Sequence, residues 1–378
     1  MWLNIGGNDM SVATVFRCVR FIAEAVANLP LQYQKKRGGV YVVDEESRLN
    51  YLLTIEPNPN INAFDFWRQA VQNMLLDGNA YILPQYVQTP GGIELTSLIL
   101  CSRGTVSHDT EADTYSVNDP INRISGTFYE SEILHIKNIA SAIDPKRGIS
   151  TLTYARRCIN ISAAADTEQL KRFESGGIIR GIVSNGNSVK GFGEYQDREL
   201  EKTAESIDDQ FHNQHVNIVT VPGQVDFRQL SMSSADMQFL ESRKFGVLEI
   251  CRFFGVNPSF VYADTSSNYK SVEQANVAFL SHTLNPLLRN IELELQRKLI
   301  LPAMSSNMQI RFDRKGIYAC DLDGLMKYRN SLLQTGCTVN ELRRMENLAP
   351  VDGGDYALVS ANLKSIKEIS NPSLPDNE

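Results

Sequence analysis

The chain has 378 residues, enough for two or three domains, and its 42% hydrophobic and 21% charged content is that of a folded protein. Its net charge of −7 excludes bulk cationic attraction to nucleic acid, so any handling of DNA must proceed without a strong overall grip. No uninterrupted apolar run approaches a membrane span, and MWLNIGGNDMSVATVF lacks the basic-then-apolar order of a signal peptide; a soluble intracellular protein with no membrane contact is expected.

In chain order, SVATVFRCVRFIAEAVANLPLQYQ opens as a helix, with Ser11 as cap and Val15, Val19, Ile22 and Val26 on one stripe, and Pro30 ends it. LPLQYQKKRGGVYVV follows as a hairpin whose Lys35, Lys36 and Arg37 are read as a solvated tip rather than a nucleic-acid patch. EPNPNIN is a turn, AFDFWRQAVQNMLLDG a helix stopped by Gly78, and NAYILPQY, GIELTSLIL, TYSV and EILHIKN are strands. From 150 a long helix, STLTYARRCINISAAADTEQLKRFESGG, carries Ser150 as its cap and Gly176-Gly177 as its stop. IIRGIVS, VNIVTVPG and VDFRQLS read as strands around a charged helix, DRELEKTAESIDDQFH, which together make a small polar β-α-β unit.

That unit is bracketed on its far side by a second helix, SADMQFLESRKFGVLEICRFFG, with Met237, Leu240, Val247, Cys251 and Phe254 as its stripe. The loop GVNPSFVYADTSSNY comes next, and then SVEQANVAFLSHTLNPLLRNIELELQRKLI, with Ser271 and Gln274 as a capping box. In this last helix Val277, Leu280, Leu284, Leu287, Ile291, Leu295 and Leu299 recur at helical steps, and Pro286 is expected to kink it. MQIRFD is a strand, two helical pieces follow, and SNPSLPDNE is a polar tail expected to be disordered.

Motifs that would carry chemistry are missing. No G-x-x-x-x-G-K-[ST] phosphate loop occurs, so VYVVDE, which resembles the acidic strand end of a nucleotide-binding site, carries no ATPase reading. His212 and His215 lack a nearby third ligand, and His135 in ILHIK is read as a strand residue rather than a base. The six cysteines, at 18, 101, 158, 251, 320 and 337, form no C-x-x-C pair and are read as small apolar side chains, not a disulfide framework. No catalytic residue, cofactor or metal is expected, and the chain is read as a non-enzyme.

VFRCVRFIAEAVANLPLQ, PNPNINAFDFW, LLDGNAYI, EILHIKN, RGISTL, VPGQVDFRQLSMSSADMQFLESRKF, ICRFFGVNPSFVYADTSSNY, TLNPLLRNIELELQRKL and GCTVNELRRMENLAPVDGGD stand in one order. Each is weak alone; in that order they make the chain resemble the portal proteins of long-tailed bacteriophages over most of its length. One departure is that the chain opens close to its first helix, so a longer N-terminal arm is expected to be missing.

The resemblance implies an α+β, ring-forming protein, typically a dodecamer, at one vertex of the phage head. Its ring would pass double-stranded DNA during packaging and ejection. It would dock the packaging motor through the terminase large subunit, later the head-tail connector protein, and also meet major capsid and scaffolding protein. Assembly in the host cytoplasm and residence in the virion follow. Mapped onto this chain, the family's parts are a wing (1–149, returning at 272–318), stem helices (150–176 and 234–256), a clip (177–233), a tunnel loop (257–271) and a crown (319–369), before the tail (370–378).

On this reading Tyr262, Asp264, Thr265, Asn268, Tyr269 and Lys270 would face DNA in the channel. Asp264, Thr265 and Asn268 are short polar groups, and Tyr269 and Lys270 add one ring and one charge, which suits weak, replaceable contact, since fixed phosphate contacts would hold DNA in place. Asp197, Arg198, Glu201, Lys202 and Glu205 of the clip would dock the motor, where charge sets register and partner choice. The alternatives are a minor capsid or head-tail adaptor protein without a DNA channel, which should lack paired long helices around a small domain, and an enzyme of the packaging machinery, which the missing phosphate loop disfavours.

Overall fold

The computed structural model describes residues 13–140, 144–174, 181–185, 202, 205, 225–229, 233–261, 269–314, 322–346 and 348–357. It divides into two compact units, Met1–Arg311 and Phe312–Glu378.

The first unit begins with α1 (Ala13–Ala27), whose buried Val15, Cys18, Val19, Ile22, Ala23 and Val26 include every residue of the expected stripe. The hairpin follows as β1 (Leu31–Arg37) and β2 (Val40–Val43), joined by Gly38 and Gly39 at positive φ. The basic cluster is a hairpin feature that Asp44 partly neutralises, 2.6 Å from Lys35 and 3.8 Å from Arg37. A short helix that sequence reading passes over, α2 (Arg48–Thr54), buries Leu52 and Leu53. Next comes α3 (Ala63–Asp77), capped by Asn62 and ended by Gly78 at φ 83°. It packs on α1 and buries Phe66, Trp67, Ala70, Val71 and Met74, while the Trp67 indole N–H donates to the Leu53 carbonyl at 3.1 Å.

Two small antiparallel sheets follow. β3 (Asn79–Thr89) lies between β4 (Gly92–Leu100) and a later strand, β8 (Leu134–Lys137). Between them in sequence β5 (Val106–Asp109), β6 (Thr114–Asp119) and β7 (Ile124–Tyr129) form a meander. Only β6 of this meander is expected from the sequence; β5 and β7 are short, and their alternation carries little apolar signal. A two-residue pair, β9 (Ile139–Ala140) with β10 (Gly148–Ile149), leads into the long helix.

That helix, α4 (Thr151–Glu174), starts at Ser150, whose hydroxyl oxygen accepts from the Leu152 N–H at 3.0 Å and donates to the Leu75 carbonyl. The cap thus ties the helix start to α3. β11 (Gly181–Asn185) and β12 (Val225–Gln229) pair antiparallel, and α5 (Ser233–Phe254) returns. α4 and α5 run antiparallel: the Cys158 thiol donates to Glu249 at 3.0 Å, and one turn further along α4, Ser162 lies against Gly246. At one end Leu152, Ala155 and Ile159 are buried with Ile250, Cys251 and Phe254. Along the pair Tyr154, Ile161, Leu170, Phe245, Leu248 and Phe253 remain exposed.

The last long helix is broken into α6 (Tyr269–Ala278), a π-helical segment Phe279–Leu284, and α7 (Asn285–Leu299). The kink expected at Pro286 is thus taken up as a wide turn just before it, in which the Asn285 N–H bonds to the Leu280 carbonyl five residues back. The extra residue resets the buried stripe. Ala275, Phe279, Leu284, Leu288, Ile291 and Leu295 face inward, whereas Val277 of the expected stripe is exposed. β13 (Met308–Phe312) joins β1 to complete a three-stranded sheet in the order β13-β1-β2.

In the second unit, α8 (Leu322–Gln334) precedes α9 (Val339–Met345), which is capped reciprocally by Thr338 and Glu341. Five cysteines are free thiols, with 18, 101 and 251 buried and 158 and 337 half-buried; Cys320 lies outside the described residues, as do the Ser11 cap, Gly176-Gly177, the strand VNIVTVPG and the tail.

Candidate functional site: the anchored loop between α5 and α6

The loop that follows α5 is specified residue by residue at its start. Gly255 ends the helix at φ 64°, a conformation open to glycine because it lacks a Cβ. Its N–H reaches the Arg252 carbonyl and the Val256 N–H reaches the Cys251 carbonyl, the paired bonds of a Schellman stop, with Val256 and Cys251 both buried. Asn257 then closes an Asx turn, its side-chain oxygen accepting from the Ser259 N–H at 3.0 Å. Pro258 opens a 3-10 turn, Pro258–Val261.

That turn is clamped to α1. Phe260 stacks on Phe21 with ring centroids 5.0 Å apart, and the Arg17 side chain donates to the Phe260 carbonyl at 3.3 Å. Phe279, beyond the loop, closes the group at 5.0 Å from Phe21 and 6.0 Å from Phe260. Both flanks of the loop therefore meet on one face of α1, and the Thr283 hydroxyl adds a bond to the Gly255 carbonyl at 2.6 Å. Aromatic groups in such contact contribute beyond their buried area, so the base of the loop is held by more than apolar burial alone.

Of the residues expected to meet DNA, Tyr262, Asp264, Thr265 and Asn268 lie outside the described residues. Tyr269 and Lys270 do not belong to the loop as expected: α6 begins at Tyr269, ahead of the Ser271 cap. The first turn of a helix leaves its N–H groups unpaired in any case, so side chains specify the start weakly, and lysine is a good helix former. Of the residues expected to dock the motor, Asp197, Arg198 and Glu201 lie outside the described residues, while Lys202 and Glu205 are exposed on helical backbone.

Sequence reading missed Phe21, Phe260, Phe279, Arg17 and Thr283. Their partners are far apart in the chain, so no local spacing announces them. The one available signal was Phe260, an aromatic directly after a tight turn that needs an apolar surface to rest on.

His135 is a strand residue, as expected. Its Nε2 bonds to Asn79 at 2.7 Å and its Nδ1 to the Tyr115 hydroxyl at 3.1 Å. Burial, helped by nearby Lys137, pushes its pKa down to about 3, which leaves a neutral ring and no base near neutrality. His212 and His215 lie outside the described residues. Among the described residues no group of three His, Cys, Asp or Glu could hold a metal, and no helix is long and apolar enough to cross a membrane.

The sequence matches the profile of the family described as phage portal protein over residues 13–347. It is 26% identical to the portal protein of Enterobacteria phage HK97, over 97% of this chain and 86% of that one. It is 28% identical to the probable portal protein of Streptomyces phage phiC31, over 96% and 80%. Among solved structures, an HK97-family phage portal protein from Corynebacterium diphtheriae superposes with a TM-score of 0.57 at 14% identity, covering 83% of this chain and 96% of that one. A chain from the neck of a native gene transfer agent particle, computed with C12 symmetry, gives 0.57 at 19% identity, over 92% and 94%. With the profile spanning most of its length, the chain belongs to the phage portal protein family.

Proposed function

We propose that copies of this chain close into a ring at one vertex of a phage-type head and form the channel through which double-stranded DNA is packaged and ejected. The observation that carries this reading is the antiparallel pair α4 and α5, which leaves Tyr154, Ile161, Leu170, Phe245, Leu248 and Phe253 in solvent. One copy does not cover these side chains, and a neighbour around a ring would, since a head-to-tail interface repeats until it closes. Twelve is the subunit number proposed, consistent with the C12 symmetry of the gene transfer agent neck. The role is structural rather than catalytic.

The loop at 262–268 is proposed to line the channel. Its flanks rest on α1 through Phe21, Phe260 and Phe279, which sets where the loop leaves and rejoins the folded chain. Asp197, Arg198, Glu201, Lys202 and Glu205 are proposed as the docking surface for the packaging motor, the terminase large subunit; the exposure of Lys202 and Glu205 supports it. The connector, major capsid protein and scaffolding protein are the further partners of that reading, with assembly in the host cytoplasm.

The test is light scattering and electron-microscopic class averages of the purified protein and of procapsids. Closed rings with a central hole are expected. A protein that stays monomeric at every concentration and salt, and inside procapsids, overturns the proposal.

A further inference from the structure

We infer that Thr283 is a positioning residue for the loop at 262–268, acting through Gly255, and this rests on the channel reading above. Three observations meet at this contact. The Thr283 hydroxyl donates to the Gly255 carbonyl at 2.6 Å. A Cβ built on Gly255 would lie 2.7 Å from the same hydroxyl oxygen, so the end of α5 and the wide turn touch with no space to spare. Thr283 sits inside the π-helical segment that rotates α6 relative to α7.

The geometry explains why the wide turn occurs at this point. In an unbroken α-helix residues five apart, such as Phe279 and Leu284, diverge by about 140° around the axis. The π-helical segment brings both inward, Phe279 onto Phe21 and Phe260, and Leu284 into line with Leu288, Ile291 and Leu295. Ser281 turns its hydroxyl back to the Val277 carbonyl at 2.9 Å, pairing a backbone group in the stretch where the regular ladder is interrupted. The segment therefore sets the angle at which α6 leaves α7, and α6 carries the C-terminal end of the loop. Thr283 locks that angle to Gly255, which carries the N-terminal end. One exposed hydroxyl thus ties the two ends of the loop directly to each other, beside the aromatic group that seats both on α1.

The bond is solvent-exposed and is not part of the apolar packing, so its loss should leave folding and ring closure intact. A net hydrogen bond of ordinary strength changes the ratio of anchored to released ends by about two- to tenfold. The experiment compares Thr283→Val, which keeps the shape and removes the hydroxyl, with Thr283→Ser, which keeps the hydroxyl. Each variant chain is supplied to particles lacking their own portal, beside a chain in which Asp264 to Asn268 are replaced by Gly and Ser. Thr283→Val should give rings of normal yield and melting temperature, faster hydrogen exchange over 255–261, and a fall in nuclease-protected DNA that Thr283→Ser restores. Normal DNA content with Thr283→Val, while the loop replacement loses DNA, overturns the inference and leaves the channel reading standing. Normal DNA content in both overturns the channel role and the inference with it. Loss of rings with Thr283→Val, or failure of Thr283→Ser to rescue, reassigns Thr283 to folding and overturns the inference.

Discussion

Phe260 stacks on Phe21 at 5.0 Å with 22° between the ring planes, although one ring follows a turn late in the chain and the other lies on its first helix. Phe279 completes the group from the other side of the loop. Phe21→Ala removes the ring that both share. Because Phe21 is only half-buried, the expected loss of stability is about 1–3 kcal/mol, below the range for a fully buried phenylalanine. Denaturant unfolding measures it, and hydrogen exchange should quicken at 258–261 before it does in α3.

Gly78 is expected to tolerate no side chain. Its φ is 83°, and a Cβ would lie 2.6 Å from the Gly148 carbonyl oxygen and from the backbone of Ile149 and Ser150. Those atoms are backbone at the entry to α4 and cannot swing away. Gly78→Ala should cost about 3 kcal/mol or more, combining strain at positive φ with displacement of the strand pair β9–β10. Loss of soluble protein, or a melting temperature lowered by many degrees, checks it.

Glu292 is fully buried and holds Arg311 at 2.9 Å, with Arg289 at 3.7 Å. Arg311→Met leaves the carboxylate in the interior with weaker compensation. Breaking a fully buried pair by removing one partner costs about 3–5 kcal/mol; Arg311 is itself partly exposed and Arg289 remains, so the loss should fall below that range. The double variant with Glu292→Met should recover part of the loss, and a double-mutant cycle reads the coupling.

His135 gives stability a defined pH dependence. Its pKa falls from 6.5 to about 3 on folding, chiefly through burial. Between these values the unfolded chain binds the extra proton, so stability rises with pH across the window, is complete above it, and is lost on acidification. The slope contributed by this one group is at most about 1.4 kcal/mol per pH unit. Buried His108, also held below its ordinary pKa by burial, adds in the same direction. His135→Gln should flatten the difference between unfolding free energies measured at the two ends of the window; an unchanged slope contradicts the assignment.

Features under short-range control were legible in the sequence. The stripe of α1, the Gly-containing hairpin turn, the Gly78 stop of α3 and the Ser150 cap each depend on residues within a turn or two, and each stands where the pattern puts it. The order of such segments was also sufficient for the family. Features that depend on partners distant in the chain emerged only on folding. Pro286 announced an irregularity, but its form, a wide turn rather than a bend, follows from the need to bring Phe279 and Leu284 to one side. The start of α6 at Tyr269 was invisible because the first turn of a helix makes few demands on its side chains. The anchoring of the loop on Phe21 and Thr283 was invisible for a stronger reason: ring stacking and a hydroxyl-to-carbonyl bond across many residues leave no periodicity in the sequence, and only the folded chain brings the atoms together.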